Sequence, residues 1–408
     1  MTHMTPTTRA AVVLGVAVAL TAGLAVAPAR AHAAPVDPSS TSVTASPTTA
    51  SSPPARSSKS AERAIAAFTS RGERGSTGAP VSPDPASTSV PSVPSVPSVP
   101  TVTTPAAVSQ TIRTTPTTTL FRGGLYVDPA GEAARAATTL TSEGRTAEAA
   151  AARTISKQPV ATWLGSWLTD AQLVKKIDGT VAAAEKVGAT PLFVTYNIPN
   201  RDCGSHSAGG SADNAAYLRW NSLVASRLAG HRVVVVVEPD ALTLISNCPE
   251  QTSGREATIA SAVATLADAG VPAYLDAGNS NWVPPQTMAA RLKAAGVDRA
   301  RGFATNVSNY YPVESERAYA EKVSQATGGA RYVIDTSRNG RGWKGTWCNA
   351  PGAGLGVVPS VQTGTTKLDA LLWIKTPGAS DGECNGGPAA GKWHASYAVQ
   401  LVANRATG

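Results

Sequence analysis

Five carboxylates stand just after short apolar runs of the chain: Asp202, Glu238, Asp240, Asp276 and Asp381. Partly buried acids gathered at one end of a fold are the groups whose pKa values shift and that move protons. Trp163, Trp282 and Trp347 lie beside the same run ends or near loop cysteines, and Tyr196, Asn306 and Lys375 sit among them. Flat indole faces near carboxylates suit sugar rings, whose axial C–H groups stack on them. Indoles also serve as ordinary packing, and Trp220, inside an amphipathic stretch, is assigned to the core.

These groups need a scaffold that brings distant loops to one end. The stretch VVVVVEPDALTLISNC (233–248) shows how it is built. A continuous β-branched run reads as a strand buried on both faces, and Pro239, which cannot donate to a ladder, ends it. Further apolar runs are LYV (125–127), VATWL (160–164), PLFVTY (191–196), AYLDAG (273–278), GFATNV (302–307), RYVID (331–335) and LLWIK (371–375). Helical patterns alternate with them, and Gly188, Gly230 and Gly270 stand where left-handed C-terminal caps are wanted. Strand and helix in alternation mean parallel α/β. We expect a single distorted (β/α) barrel of seven or eight parallel strands, whose strand ends carry the chemistry. A doubly wound sheet is the alternative. GAGLG (352–356) follows Cys348 and Pro351 in a loop rather than a strand, so it does not argue for nucleotide binding.

The rest of the 408 residues divides by composition. Residues 1–33 read as a secretory signal, with an apolar core and small-residue cleavage patterns ending at Ala31 or Ala33. Residues 34–118 are rich in Ser, Thr, Pro and Ala, including SVPSVPSVPSVP, and read as a disordered, extended linker. Residues 119–408 are then the catalytic domain. The formal charge is +8, yet only 15% of residues are charged and the basic ones are scattered. That describes a solvated surface rather than a nucleic-acid stripe. Neither a cofactor nor a metal site is expected, no stable membrane partner is expected, and the protein is read as a monomer. Cys203, Cys248, Cys348 and Cys384 form an even set in an exported chain, which implies disulfides in one of three connectivities. We expect Cys203–Cys248 and Cys348–Cys384, each tying loops at one end of the fold.

YNIPNRDCGSHS, VVEPDALTLISNC, YLDAGNSNW, ATNVSNY, VIDTSRNG and LLWIKTPGASDG together resemble glycoside hydrolase family 6, the β-1,4-glucan-cleaving cellulases, in that family's order. The resemblance covers about Leu125 to Trp393. It implies a distorted barrel with an open cleft and hydrolysis with inversion at the anomeric carbon. It further implies that Asp240 is the general acid, Asp202 the neighbour that keeps it protonated, and Asp381 the proposed base. Tyr196 would press the scissile sugar out of its relaxed chair, Ser207 would position water, and Lys375 and Trp282 would touch sugar. Trp163, Asp276, Asn306 and Trp347 complete the expected substrate-binding set. The family's disulfides match the pairing above. An acid with a raised pKa needs burial and a nearby carboxylate, which the valine strand and Asp202 would supply. Arg201 is expected to keep Asp202 ionised, and Glu238 to anchor structure.

Two positions depart from the family pattern. Asn279 stands where His is usual, and Ala379 stands where a sugar-contacting glutamate is usual two residues before the base. The expected activity is a secreted endo-β-1,4-glucanase, because the loops that would roof a tunnel are short. Hydrolysis of another β-1,4-linked glycan, or a catalytically weak, wall-associated glycan-binding protein, are the alternatives.

Overall fold

The computed structural model of the protein describes residues 105–406. Its sheet contains β1 (Thr162–Gly165), β2 (Leu192–Tyr196), β3 (Val234–Val237), β4 (Ala273–Asp276), β5 (Gly302–Thr305), β6 (Arg331–Asp335), β7 (Ser360–Val361) and β8 (Leu368–Leu372). The strand order is β1-β2-β3-β4-β5-β6-β8-β7. Every neighbouring pair from β1 to β8 is parallel, while the short β7 runs antiparallel to β8. The result is a curled, parallel-dominated sheet with seven parallel strands and an outer antiparallel one.

The helices are α1 (Pro105–Thr114), α2 (Thr117–Leu120), α3 (Glu132–Ser142), α4 (Thr146–Ser156) and α5 (Asp170–Lys186), then α6 (Asn214–Leu228), α7 (Arg255–Asp268), α8 (Pro285–Ala294), α9 (Val313–Ala326) and α10 (Ala395–Ala403). Consecutive helices from α5 to α9 pack against one another around the outside of the sheet. Local chemistry sets their ends. Thr169 and Gln172 form a reciprocal capping box at the start of α5, and Asp213 accepts the Ala216 N–H at 2.7 Å to start α6. Gly188, Gly230 and Gly270 follow α5, α6 and α7 with φ of 70°, 78° and 72°, the left-handed caps expected of them.

The valine strand is buried on both faces, as its composition requires. Val235 and Val237 pack with the helix layer. Val234 and Val236 instead enter the interior of the curl with Val194, Tyr274, Ala304, Val333 and Ala370. The sheet curls far enough for Val160 to bridge Trp373, with the Ala161 N–H 3.1 Å from the Trp373 carbonyl. β1 and β8 share this bridge rather than a ladder, so a seam remains between them. Packed together beside it are α3, α4 and α10, whose Ala133, Ile155 and Leu401 cluster with Trp373.

Three expectations change. LYV forms one bridge, Leu125 with Thr190, and not a strand, because the run is too short to sustain a ladder. The last parallel strand begins at Leu368, and Trp373 and Ile374 serve the seam instead. The folded part also begins earlier than residue 119. Fully buried Arg301 donates to the carbonyls of Ile112 (3.1 Å), Arg113 (2.9 Å) and Thr115 (2.6 Å), holding the end of α1 and the turn into α2. The expected signal and most of the expected linker lie outside the described residues. No described helix is long and apolar enough to cross a membrane.

Candidate active site

The end of β3 carries two carboxylates with opposite fates. Glu238 is buried, and its oxygens accept the N–H groups of Asn197 (2.9 and 3.1 Å) and Ile198 (3.0 Å). It therefore fixes the chain leaving β2 and is the anchor expected. Two residues on, Asp240 is half-buried. Both flank Pro239 with left-handed backbones, φ 49° and 68°. Asn200 and Asp202 after β2, and Asn306 and Ser308 after β5, are also left-handed. Such conformations cost about 1–3 kcal/mol each in side-chain-bearing residues and collect where function requires a fixed geometry.

Behind Asp240 lies Asp276, at the end of β4. Its Oδ2 accepts the backbone N–H of Asp240 at 2.9 Å and that of Gly278 at 3.0 Å. Gly278 has φ 66°, and a Cβ there would meet the Thr243 methyl at 2.3 Å, so glycine is required. Asp276 Oδ1 is buried without a hydrogen bond. Burial, opposed by the two N–H groups, raises the Asp276 carboxyl to about 7. Burial, then the charges of Asp276 and Asp202, push the Asp240 carboxyl well above the usual carboxylate range. Asp276 is only 2% exposed, so it supports Asp240 and does not touch sugar as expected.

Asp202 sits in the loop after β2 and accepts the Ser207 N–H at 2.7 Å. Arg201 does not pair with it. The Arg201 guanidinium donates to the carbonyls of Tyr196 (2.6 Å), Ser207 (2.7 Å) and Ala208 (3.1 Å), and its carbon lies 4.5 Å from the Tyr196 ring centroid. Burial raises the Asp202 carboxyl despite the Ser207 N–H and the nearby positive charge. The expectation that Arg201 keeps Asp202 ionised is corrected: Arg201 shapes the loop, and Asp202 is a second carboxylate with raised proton affinity. Tyr196 is buried at the end of β2 with its ring edge-on to Trp163, 5.3 Å between centroids.

Asp381 has the opposite electrostatics. Its side chain is wholly buried, with Arg338 Nη1 2.6 Å from Oδ2 and Lys375 Nζ 3.0 Å from Oδ1. The Asn349 N–H adds a bond to Oδ2 at 2.9 Å. Burial alone would raise this carboxyl, but Arg338 and Lys375 overcome it and hold it at about 2. The Lys375 contact is an ion pair without hydrogen-bond alignment, which leaves Oδ1 with an unfilled lone pair. Lys375 is itself positioned by Asp335, whose oxygens accept the N–H groups of Ile374 (3.2 Å) and Lys375 (3.0 Å).

The two disulfides frame these loops. Cys203–Cys248 joins the Asp202 loop to the segment after Asp240, and Cys348–Cys384 brackets Asn349 and Asp381. This is the expected pairing. Over the seam lies a cleft of about 830 Å³, whose wall includes Trp163, Tyr196, Ser207 and Lys375. Trp347 stacks on His206, a residue of the cleft wall, with centroids 6.3 Å apart, and Trp282 donates to Asn247 Oδ1 at 3.1 Å. Asn306 is corrected from a sugar contact to a brace. It is wholly buried, with its amide bonded to Asp335 O (2.8 Å) and to the Tyr311 backbone. Sequence reasoning missed Arg338, Asn349, Asp335 and Trp167. Arg338 lies just after a strand end, a signal that would have found it, and Trp167 lines the cleft.

The arrangement thus offers a carboxyl with raised proton affinity, Asp240, and one with lowered proton affinity, Asp381, each within electrostatic reach of the other. Comparison with known proteins gives the same direction. The chain is 40% identical over 281 residues to endoglucanase A of Cellulomonas fimi, covering 69% of this chain and 61% of that protein. It is 38% identical over 310 residues to endoglucanase 1 of Streptomyces halstedii, covering 73% and 93% respectively. The structure of endoglucanase Cel6 from Mycobacterium tuberculosis, in complex with methyl-cellobiosyl-4-deoxy-4-thio-β-D-cellobioside, superposes with a TM-score of 0.64. It shares 40% identity over 69% of this chain and 96% of that one. Glycosyl hydrolases family 6 matches residues 122–405, which hold every group of the cluster, and the chain belongs to that family.

Proposed function

We propose that the protein is an endo-β-1,4-glucanase that cleaves internal bonds of soluble or amorphous glucan with inversion. The observation that carries this is the electrostatic contrast between Asp240 and Asp381. Asp240, protonated, gives its proton to the glycosidic oxygen as the C–O bond breaks. Water attacks the anomeric carbon from the opposite face and loses a proton towards Asp381. A carboxylate held at about 2 is a weak base. Its fixed negative charge also favours the positive charge developing on the sugar. Direct contact with water requires Lys375 to leave Oδ1. Asp202 adds negative charge that keeps Asp240 protonated, Ser207 orients water, Tyr196 presses the scissile ring, and Trp163 offers a stacking face.

The endo mode is supported by the names of the Cellulomonas and Streptomyces relatives. Export through residues 1–33, a linker from residue 34 and action outside the cell as a monomer belong to the same proposal. The catalytic domain then takes in α1 and α2 as well. The test is reducing-sugar release from a panel of soluble β-glucans, with Asp240→Asn as control and NMR of fresh product. Release that depends on Asp240, with the α-anomer first, is expected. An initial β-anomer overturns the mechanism.

A further inference from the structure

Ala379 lines the cleft and, ending in a methyl group, gives that wall no acceptor. Around it the wall is rich in donors, with Lys375, Lys392 and Arg135 all in the lining. Sugar hydroxyls need acceptors as well as donors if a ring is to be held in one orientation. Glu132, the first residue of α3, lines the same cleft. It is half-buried and makes no side-chain hydrogen bond or ion pair among the described residues, although Lys375, Arg135 and Lys392 all lie within electrostatic reach.

We propose that Glu132 is the acceptor of a glucosyl-binding subsite in the cleft, serving with Trp163 and Lys375 the wall that Ala379 leaves without a carboxylate. Its two oxygens suit two neighbouring hydroxyls of a neutral, equatorially substituted ring. A carboxylate partly stripped of water and lacking a hydrogen bond is unfavourable, and hydroxyl donors relieve that cost on binding. Burial does raise the Glu132 carboxyl, with Lys375 first among the charges pulling it back down, as expected of a group awaiting donors. A carboxylated sugar in this place would face Glu132 directly and be disfavoured. The competing role is local: an acid in the first turn of α3 favours the helix dipole whether or not sugar binds.

This inference rests on the glucanase reading, and the experiment separates the two. Cellotetraose is titrated calorimetrically into the full-length Asp240→Asn protein, then into the same background carrying Glu132→Ala, Glu132→Gln or Glu132→Ala with Ala379→Glu. Binding to the parent is expected. Glu132→Ala should weaken it roughly tenfold to a hundredfold, the scale of a hydrogen-bonded charge, and Glu132→Gln should fall between. Ala379→Glu should recover most of the loss. In the active protein, Glu132→Ala should raise KM more than it lowers kcat. Equal affinity of Glu132→Ala or Glu132→Gln and parent, with circular dichroism unchanged, overturns the role of Glu132. Failure of Ala379→Glu to restore binding overturns the shared wall. A folded parent that binds no cellotetraose removes the glucan reading and this inference with it.

Discussion

The backbone N–H of Asp240 is held by Oδ2 of Asp276 at 2.9 Å, so one acid of the cluster positions the residue that bears the next. Because Asp276 is raised to about 7, its protonated form is favoured by the fold. The sign follows directly. The stability it contributes is fully present below the unfolded carboxyl value of roughly 4 and is lost as pH rises through about 7. Asp276→Asn keeps an acceptor for Asp240 but does not titrate. Thermal denaturation should therefore vary less between roughly pH 4 and 7 in the variant than in the parent. Asp240 also loses a negative neighbour, so the alkaline limb of kcat/KM should move to lower pH. An unmoved limb would show that Asp276 does not hold the proton on Asp240.

At Asp381 the sign is reversed. Its carboxyl is depressed to about 2, so the stabilisation is present above the unfolded value near 4 and disappears as pH falls through about 2. Lys375→Ala removes one of the two cations that hold it there. We expect the acid limb of kcat/KM to move to higher pH and kcat to fall, with the fold retained. Arg338→Ala should be harsher, because it strips the buried carboxylate of the cation at Oδ2, a change worth about 3–5 kcal/mol in comparable buried pairs. A pH–rate profile and a denaturation curve for each variant check both statements.

Much of this arrangement is readable from the chain, and the failures have physical causes. Val233 to Val237 could only be a strand covered on both sides, and a carboxylate at its greasy end had to be anchored or functional; Glu238 and Asp240 divide those roles. The apolar run through Trp373 misled about β8, because closing a seam buries side chains as well as a ladder does. Asn349 carries no local pattern and Arg338 only its place after a strand end, since their partner Asp381 is distant in sequence and the pairing exists only once β6 and β8 are neighbours. Thr- and Pro-rich residues 105–118 resemble a linker by composition. Their fixation comes from Arg301, a residue the segment itself does not contain.

That fixation gives a prediction at the opposite end of the strands. Asp369 accepts Arg301 Nε at 2.9 Å, Arg331 Nε at 2.5 Å, Tyr274 OH at 2.6 Å and Thr117 Oγ1 at 2.5 Å. Asp369→Ala leaves Arg301 buried without its counter-charge and should destabilise the protein by about 3–5 kcal/mol. The network lies at the strand starts, remote from the cleft, so kcat at temperatures where the variant is folded should stay close to the parent value. Urea denaturation and steady-state rates measured together decide the point. A large loss of kcat in folded protein would mean that the two ends are coupled.

The last prediction separates acid catalysis from structure at Asp240. Protonation matters most when the departing group is a poor one, such as the sugar alkoxide of a natural glucan; a nitrophenolate departs with little help. Asp240→Ala should cost two or more orders of magnitude on β-glucan, consistent with the roughly 10²–10⁴-fold typical of general acid catalysis. The loss should be far smaller on an aryl cellobioside or a cellobiosyl fluoride. Cello-oligosaccharide affinity should change little, because Trp163 and Lys375 remain in the cleft wall. Asp381→Ala should behave differently, since the attacking water still needs to lose its proton when the leaving group is good. Equal loss on both substrate types in a folded Asp240→Ala protein would make Asp240 a structural residue. The acid could not then be Glu238, which holds Asn197 and Ile198, nor Asp276, which lies buried behind the Asp240 backbone. Asp202, whose carboxyl has raised proton affinity and whose charge acts on Asp240, would be the next to mutate.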